Sequence, residues 1–294
     1  MNILSLFDGM SCGQLALTRA GIPITNYYAS EIDKHAISVT QHNFPNTIQL
    51  GDVTKIKGSD LPQIDILIGG SPCTGFSMVG KKLNFDDPQS KLFFDYVRLL
   101  KEVKPKYFFL ENVRMAKKHQ DVITDILEVE PVFINSAVVS AHNRPRLYWT
   151  NIPFQGLPED KNILLKDILE HPGYENQIDP KISPCVRNIL VEEKEHLLSA
   201  TGKNVYTRKK FFKHTPIGIT KSSCLCASIN AIGINTIVHD QWGNIRLPSR
   251  IERERLQTVP DNYTENVSHN QSARMLGNGW TVDVIAWFFK FIPH

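Results

Sequence analysis

Short apolar runs alternate with longer segments of helical period through the first half of the chain. Asn2-Ile3-Leu4-Ser5-Leu6-Phe7 reads as a strand, and Gln14 to Ala20 carries apolar residues at helical spacing. A second strand, Thr25 to Ser30, leads into a helix from Lys34 to Asn43. Thr47 to Leu50 makes a third short strand. Ile64 to Ile68 makes a fourth, rich in β-branched residues and closed by Gly69-Gly70. A helix is expected over Lys91–Val103, a buried strand over Tyr107–Leu110 and a helix from about Gln120 to Glu128. Val132–Ser140 and Arg146–Thr150 read as a strand pair. Strand, glycine turn and helix in succession open a doubly wound α/β sheet, whose ligands sit at the carboxyl ends of the strands.

From about Pro153 the alternation stops. Residues 154–245 have scattered prolines and glycines and short irregular apolar runs. Regularity returns at Arg246: Ser249 with Glu252 three residues on is a capping box, and an apolar helix closes the chain near Phe291. The expected division is therefore 1–153, an insert at 154–245, and 246–294 returning to the first part. The closing helix is expected beside the first strand.

Composition narrows the class. The 294 residues are 41% hydrophobic and 21% charged, ordinary for a globular chain. Cys12, Cys73, Cys185, Cys224 and Cys226 form no disulfide framework and no metal pair of two-residue spacing, so a reducing compartment without structural zinc is expected. With the sequence opening on a strand, no basic leader is expected, and no apolar run nears the roughly 18 residues of a membrane span. A net charge of +3 permits an anionic partner without showing one. Between Thr201 and His239 there is no acid, while Lys203, Arg208, Lys209, Lys210, Lys213 and Lys221 interleave with Tyr206, Phe211 and Phe212. That stretch is either a phosphate-contacting surface or a solvated basic loop.

The candidate chemistry lies at the strand ends. The turn Asp8-Gly9-Met10-Ser11-Cys12-Gly13 follows the first strand and lacks the spacing of nicotinamide enzymes. Glu31 ends the second strand, where an acid can take bonds from ribose hydroxyls, while Asp33 fits the N-cap of the next helix. Asp52 either accepts from an amino group or holds a turn. Cys73 follows the fourth strand directly after Pro72, whose fixed φ stiffens the approach. A long glycine-containing loop, Thr74 to Ser90, reads as a lid. Glu111 emerges at the same edge, and Arg144-Pro145-Arg146 offers two donors held by a proline.

Gly70-Ser71-Pro72-Cys73, Glu111-Asn112-Val113, Arg144-x-Arg146, Leu256-Gln257 with Pro260, and Gly277-Asn278 occur in that order. With them the chain resembles the DNA (cytosine-5)-methyltransferases over nearly all of its length outside 154–245. Phe7-Asp8-Gly9 and Leu276-Gly277-Asn278-Gly279-Trp280 look like the catalytic domain of animal de novo methyltransferases and like short bacterial and phage enzymes. The resemblance implies a Rossmann-like, S-adenosylmethionine-dependent methyltransferase sheet with an inserted target-recognition domain. It implies methylation of C5 of cytosine in a specific duplex DNA sequence, on a flipped-out base. It further implies a monomeric, metal-free, DNA-associated enzyme of a bacterial or phage-infected cytoplasm, with a separate cognate restriction endonuclease left open. Methylation of RNA by the same motifs is the close alternative, and a non-catalytic DNA-binding relative the more distant one.

The roles the resemblance implies are these. Cys73 is the nucleophile toward cytosine C6, Glu111 meets N3, Arg144 binds the O2 carbonyl and Arg146 holds the active-site loop. For the cofactor, Phe7 lies against its adenine or methionine moiety, with Asp8, Gly9 and Met10 near its methionine end. Glu31 meets the ribose hydroxyls and Asp52 the adenine amino group, Ile32 and Val53 belong to the cofactor-binding set beside them, and Pro72, Asn278 and Trp280 line the pocket. One departure stands out: the family usually has glutamine two residues before the first arginine, and here the residue is His142.

Overall fold

A computed structural model describes residues 1–71, 88–170, 214–215, 221–222, 224–225, 237–239, 245–246 and 248–293, with backbone alone at 88–90 and in the short segments 214–215, 237–239 and 245–246. The sequence pattern yields β1 (Asn2–Leu6), α1 (Cys12–Arg19), β2 (Asn26–Ser30), α2 (Lys34–Asn43), β3 (Ile48–Gln49) and β4 (Ile66–Gly69). Then follow α3 (Pro88–Val103), β5 (Tyr107–Val113), α4 (Lys117–Leu127), β6 (Val132–Asn135) and β7 (Pro145–Thr150). Short strands β8 (His214–Thr215), β9 (Ile237–His239) and β10 (Ile245–Arg246) precede α5 (Arg250–Leu256), α6 (His269–Asn278) and α7 (Val282–Phe289).

The chain divides into two compact units. The first comprises Met1–Asn135, Pro145–Pro158 and Val282–His294; the second comprises Ser136–Arg144 and Glu159–Thr281. These bounds differ from the expected division at 153 and 245. The loop ending in Arg144 and the helices α5 and α6 belong with the residues of the insert, because their buried polar groups bond to one another, as described below.

The first unit is built on a seven-stranded sheet in the order β3-β2-β1-β4-β5-β7-β6. β1 to β5 run parallel, whereas β7 is antiparallel to both β5 and β6. The expected strand over Val132–Ser140 is cut at Asn135, where a 3-10 turn, Ser136–Val138, takes over. On one face Leu4, Leu67, Phe108, Leu110 and Trp149 pack with Phe93 and Tyr96 of α3 and Ile123 of α4. On the other, Phe109 of β5 meets Phe288 and Phe289 of α7 at ring distances of 5.3 and 5.4 Å. α7 lies against α1, the helix that follows β1, and Asp283 pairs with Arg19 at 2.6 Å.

β4 ends in glycine for a packing reason. A Cβ at Gly69 would stand 2.9 Å from the Tyr96 ring and 3.3 Å from the Leu6 carbonyl oxygen. Tyr96 reaches over this point to donate to the Phe109 carbonyl at 3.2 Å.

The second unit holds a three-stranded sheet, β10-β9-β8. Its helix α5 starts at the expected capping box: Ser249 Oγ accepts from Glu252 N, and Glu252 Oε2 accepts from Ser249 N at 2.9 Å. Among the described residues no helix is long and apolar enough to cross a membrane.

Candidate active site

Five parallel strands deliver their carboxyl ends to one edge of the sheet. Ser30, Leu6, Gly69 and Leu110 stand in one row across β2, β1, β4 and β5. The next residue of each chain is Glu31, Phe7, Gly70 and Glu111, so the side chains singled out by sequence start from a common line.

At β1 the turn alternates its backbone. Phe7, Gly9 and Ser11 have φ of 57°, 59° and 59°. The left-handed conformation strains Phe7 and Ser11, of order 1 kcal/mol each, and suits Gly9. Asp8 knits this turn together. Its carboxylate accepts from Ser5 Oγ at 2.6 Å, from Tyr27 OH at 2.7 Å and from Ser11 Oγ. Loss of solvent pushes its carboxyl up to about 6, against the pull of those three hydroxyls. Three hydroxyls of the protein thus take up the Asp8 carboxylate. Met10 and Val53 are buried side chains.

Glu31 joins two turns. Oε2 accepts from Gly9 N at 2.8 Å, and Oε1 from Ile32 N at 2.7 Å and Asp33 N at 2.8 Å. A carboxylate has roughly four acceptor sites, so capacity remains for a ligand hydroxyl. Asp33 caps α2 by accepting from His35 N, as expected. Beside Glu31, Ile32 is 78% exposed, an apolar side chain standing in the open at the sheet's ligand edge. Asp52 holds a turn: Oδ1 takes both Thr54 N at 3.0 Å and Thr54 Oγ1 at 2.8 Å. The backbone bond from Thr54, first among the causes, holds its carboxyl below the usual range. Oδ2 retains acceptor capacity. A Cβ built at Gly9 or Gly51 would meet nothing within 4 Å, so both turns border open space.

At β5 two side chains part to opposite faces. Asn112 Nδ2 donates to Ser71 Oγ at 3.3 Å and to the Ser71 carbonyl at 3.4 Å, while its Oδ1 accepts from Val113 N. The end of β5 is therefore tied to the residue two before Cys73. Pro72 and Cys73 themselves, and the expected lid up to residue 87, lie outside the described residues. Glu111, largely buried, pairs with Arg146 Nε at 2.8 Å. The register explains the pair: Glu111 faces Tyr148 and Val113 faces Arg146, so acid and guanidinium are diagonal neighbours on one face of the antiparallel ladder.

Arg144 lies in the second unit and does something else. It is 2% exposed. Nη2 donates to the carbonyls of Gly277 at 3.0 Å and Gly279 at 2.8 Å, and Nη1 to Leu225 O at 3.3 Å with Cys224 Sγ at 3.6 Å. These partners differ from the expected ones, a base carbonyl for Arg144 and the active-site loop for Arg146, and that loop lies outside the described residues. The Nη hydrogens of Arg144 are directed at protein acceptors, and Arg146 is the arginine at Glu111. Pro145 opens β7, so alternation along the strand governs Arg146 but not Arg144.

Arg144 and Gln257 together close the carboxyl end of α6. Gln257 Nε2 donates to Leu276 O at 2.5 Å and Gly279 O at 3.2 Å, and its Oε1 accepts from Thr281 Oγ1. The last carbonyls of a helix need such partners, and a cation is favoured there. Asn278 and Trp280 ride on this braced turn, exposed and partly exposed respectively. These bracing roles of Asn112, Arg144 and Gln257 were not readable in advance, although the motifs containing all three had marked the positions.

Comparison with known proteins fits this arrangement. The chain is similar to the type II methyltransferase M1.ScrFI of Lactococcus lactis subsp. cremoris, 29% identical over 96% of this chain and 75% of that protein. It is 32% identical to M.NlaIV of Neisseria lactamica, over 65% of this chain and 50% of that protein. To M.NgoBI of Neisseria gonorrhoeae it is 31% identical, over 96% of this chain and 90% of that one. The fold is that of S. pombe Dnmt2 methyltransferase, with a TM-score of 0.73 at 17% identity over 98% and 96% of the two chains. The profile of C-5 cytosine-specific DNA methylases matches residues 1–294, and with strand-end residues in the family's order and a methyltransferase sheet beneath them, the chain belongs to that family.

Proposed function

We propose that this chain transfers a methyl group from S-adenosylmethionine to C5 of cytosine in a specific duplex DNA sequence, through a covalent bond between Cys73 and C6. The observation that carries the reading is the pairing of Glu111 with Arg146 beside a β5 end that Asn112 ties to Ser71. An acid, a guanidinium and the root of the cysteine segment share one sheet edge.

The residues present fit the cofactor. Glu31 has acceptor capacity for the ribose hydroxyls, Ile32 offers an exposed apolar face for the adenine, and Asp52 Oδ2 can accept from its amino group. The backbone of the Phe7–Ser11 turn borders open space at Gly9. Asn278 and Trp280 complete the set by resemblance. When bound, the cofactor supplies an electrophilic methyl group on a sulfonium.

C5 of cytosine is a poor nucleophile until the ring loses aromaticity. The Cys73 thiolate forms a bond to C6, and the C5–C6 π pair moves to C5. Thiolates suit the step because they are nucleophilic near neutral pH and can leave afterwards. Glu111 hydrogen-bonds the N3 side of the ring, and Arg146, whose Nε lies 2.8 Å from Glu111 Oε1, donates to the O2 carbonyl. The pair on C5 would bond to the methyl group as the sulfonium keeps the S–CH3 pair and leaves as a neutral thioether; a base would then take the C5 proton, and the C–H pair would re-form the C5–C6 double bond as the Cys73–C6 bond breaks and the thiolate leaves. The target carbon is inaccessible in a stacked duplex, so the base must be flipped out.

Incubation of the chain with unmethylated DNA and tritiated S-adenosylmethionine, followed by bisulfite sequencing, is expected to show 5-methylcytosine in one short sequence context. Label in RNA with none in DNA would transfer the same chemistry to RNA and overturn the assigned substrate.

A further inference from the structure

The family's usual glutamine is replaced here by a buried histidine. His142 has no exposed surface. Its Nε2 accepts a 2.7 Å hydrogen bond from Leu225 N, which places the ring proton on Nδ1 in the neutral imidazole. Arg144 Nη1 donates to the carbonyl of the same residue at 3.3 Å. Both backbone polar groups of Leu225 therefore end on one loop. Its side chain is buried in an apolar cluster with Ala141, Ile168 and Leu256. Three residues upstream, Ser222 N donates to Ala141 O at 2.6 Å and Asn143 N donates to Ser222 O at 2.9 Å, a parallel bridge centred on His142. All these residues lie in the second unit.

Residues 221–225 fall inside the expected target-recognition insert and within its acid-free stretch, a few residues after the basic and aromatic run that ends at Lys213. We propose that His142 is a positioning residue for DNA recognition: by seating Leu225 on the loop that ends in Arg144, it roots the insert that reads the DNA. The inference rests on the reading of the chain as a DNA methyltransferase. A glutamine at 142 can accept the same N–H through Oε1. A methionine preserves bulk without an adequate acceptor and leaves the Leu225 amide buried and unsatisfied. The contact acts on the root of the insert rather than on the reacting atoms, so its loss weakens substrate binding more than turnover.

The test uses the full chain, unmethylated phage DNA and tritiated S-adenosylmethionine, with hydrogen exchange measured at the Leu225 amide. His142→Met is expected to raise KM for DNA about tenfold, keep kcat within about threefold, and speed Leu225 exchange about tenfold. It should also broaden the set of methylated sequences seen by bisulfite sequencing. His142→Gln is expected to restore all four toward wild type. Unchanged KM and sequence selectivity in a folded His142→Met protein would overturn the proposal. So would a fall in kcat at constant KM, or a His142→Gln protein as impaired as His142→Met. If the wild-type chain methylates no DNA at all, the activity reading fails instead. Leu225 exchange and DNA affinity of the two variants then decide the positioning role by themselves.

Discussion

At the scale of single residues, two arginines separated by one proline have different partners. Arg146 pairs with the acid at the sheet edge, whereas Arg144 is a buried brace for the end of α6 and for Leu225. Arg146→Gln, which keeps a donor beside the largely buried Glu111, is expected to cut kcat by about a hundredfold or more at a smaller stability cost than loss of Arg144, as for loss of a transition-state donor. Arg144→Ala is expected to cost about 2–4 kcal/mol of stability, because buried carbonyls lose a charged donor. Steady-state kinetics and thermal denaturation of the two variants check this, and the reverse pattern would return the base contact to Arg144. Asp8 supplies a pH test. Its folded pKa, about 6, lies above the ordinary carboxyl value of 3.8. The neutral form is therefore favoured by folding, and that stabilisation is present below about pH 4 and lost as pH rises through 6. The stability of wild type relative to Asp8→Asn should fall by at most about 3 kcal/mol between pH 4 and 6.5, read from urea titrations; a flat difference would contradict it. The identity of these residues was visible in the sequence. Their duties were not, because Arg-x-Arg spacing alone does not say that Pro145 begins the strand.

Among the elements, the parallel strands and their helices followed from the apolar pattern to within about three residues at each end, since the central strands β1, β4 and β5 are buried almost throughout and bounded by turn formers. The α2 cap by Asp33 and the capping box at Ser249 were equally local, and equally legible. The misread element was β6. Its apolar run continues past Asn135, but Ser136 N bonds to Arg144 O and the chain turns. Long-range contacts also decided Gly69. The residue looked like simple turn punctuation after a strand, yet a ring from α3 occupies the space of its missing side chain. Gly69→Ala is expected to destabilise by about 1–3 kcal/mol, by overpacking against Tyr96. Chemical denaturation measures it, and partial rescue by Tyr96→Leu, which removes the ring carbons facing Gly69, would fail if the clash lay elsewhere.

For the whole molecule, motif order carried the family, while the division of the chain did not follow motif order. The motifs at Leu256-Gln257 and Gly277-Asn278 belong to the compact unit that also holds the described part of the insert, because Gln257 and Arg144 share the carbonyls of one helix end. Such sharing is tertiary and leaves no periodicity in the sequence. The closing helix α7, by contrast, returns to the first unit as its apolar face required. The central claim is a thiolate at Cys73 adding to a flipped cytosine, with Glu111 and Arg146 receiving the ring. Duplex DNA carrying 5-fluorocytosine in the methylated sequence tests it most directly, because C5 then holds no proton to lose and the adduct cannot resolve. Peptide mapping after incubation with S-adenosylmethionine should find one covalent DNA adduct, on Cys73, absent from Cys73→Ala. An adduct on Cys12 or Cys224, or none with active enzyme, would contradict the account.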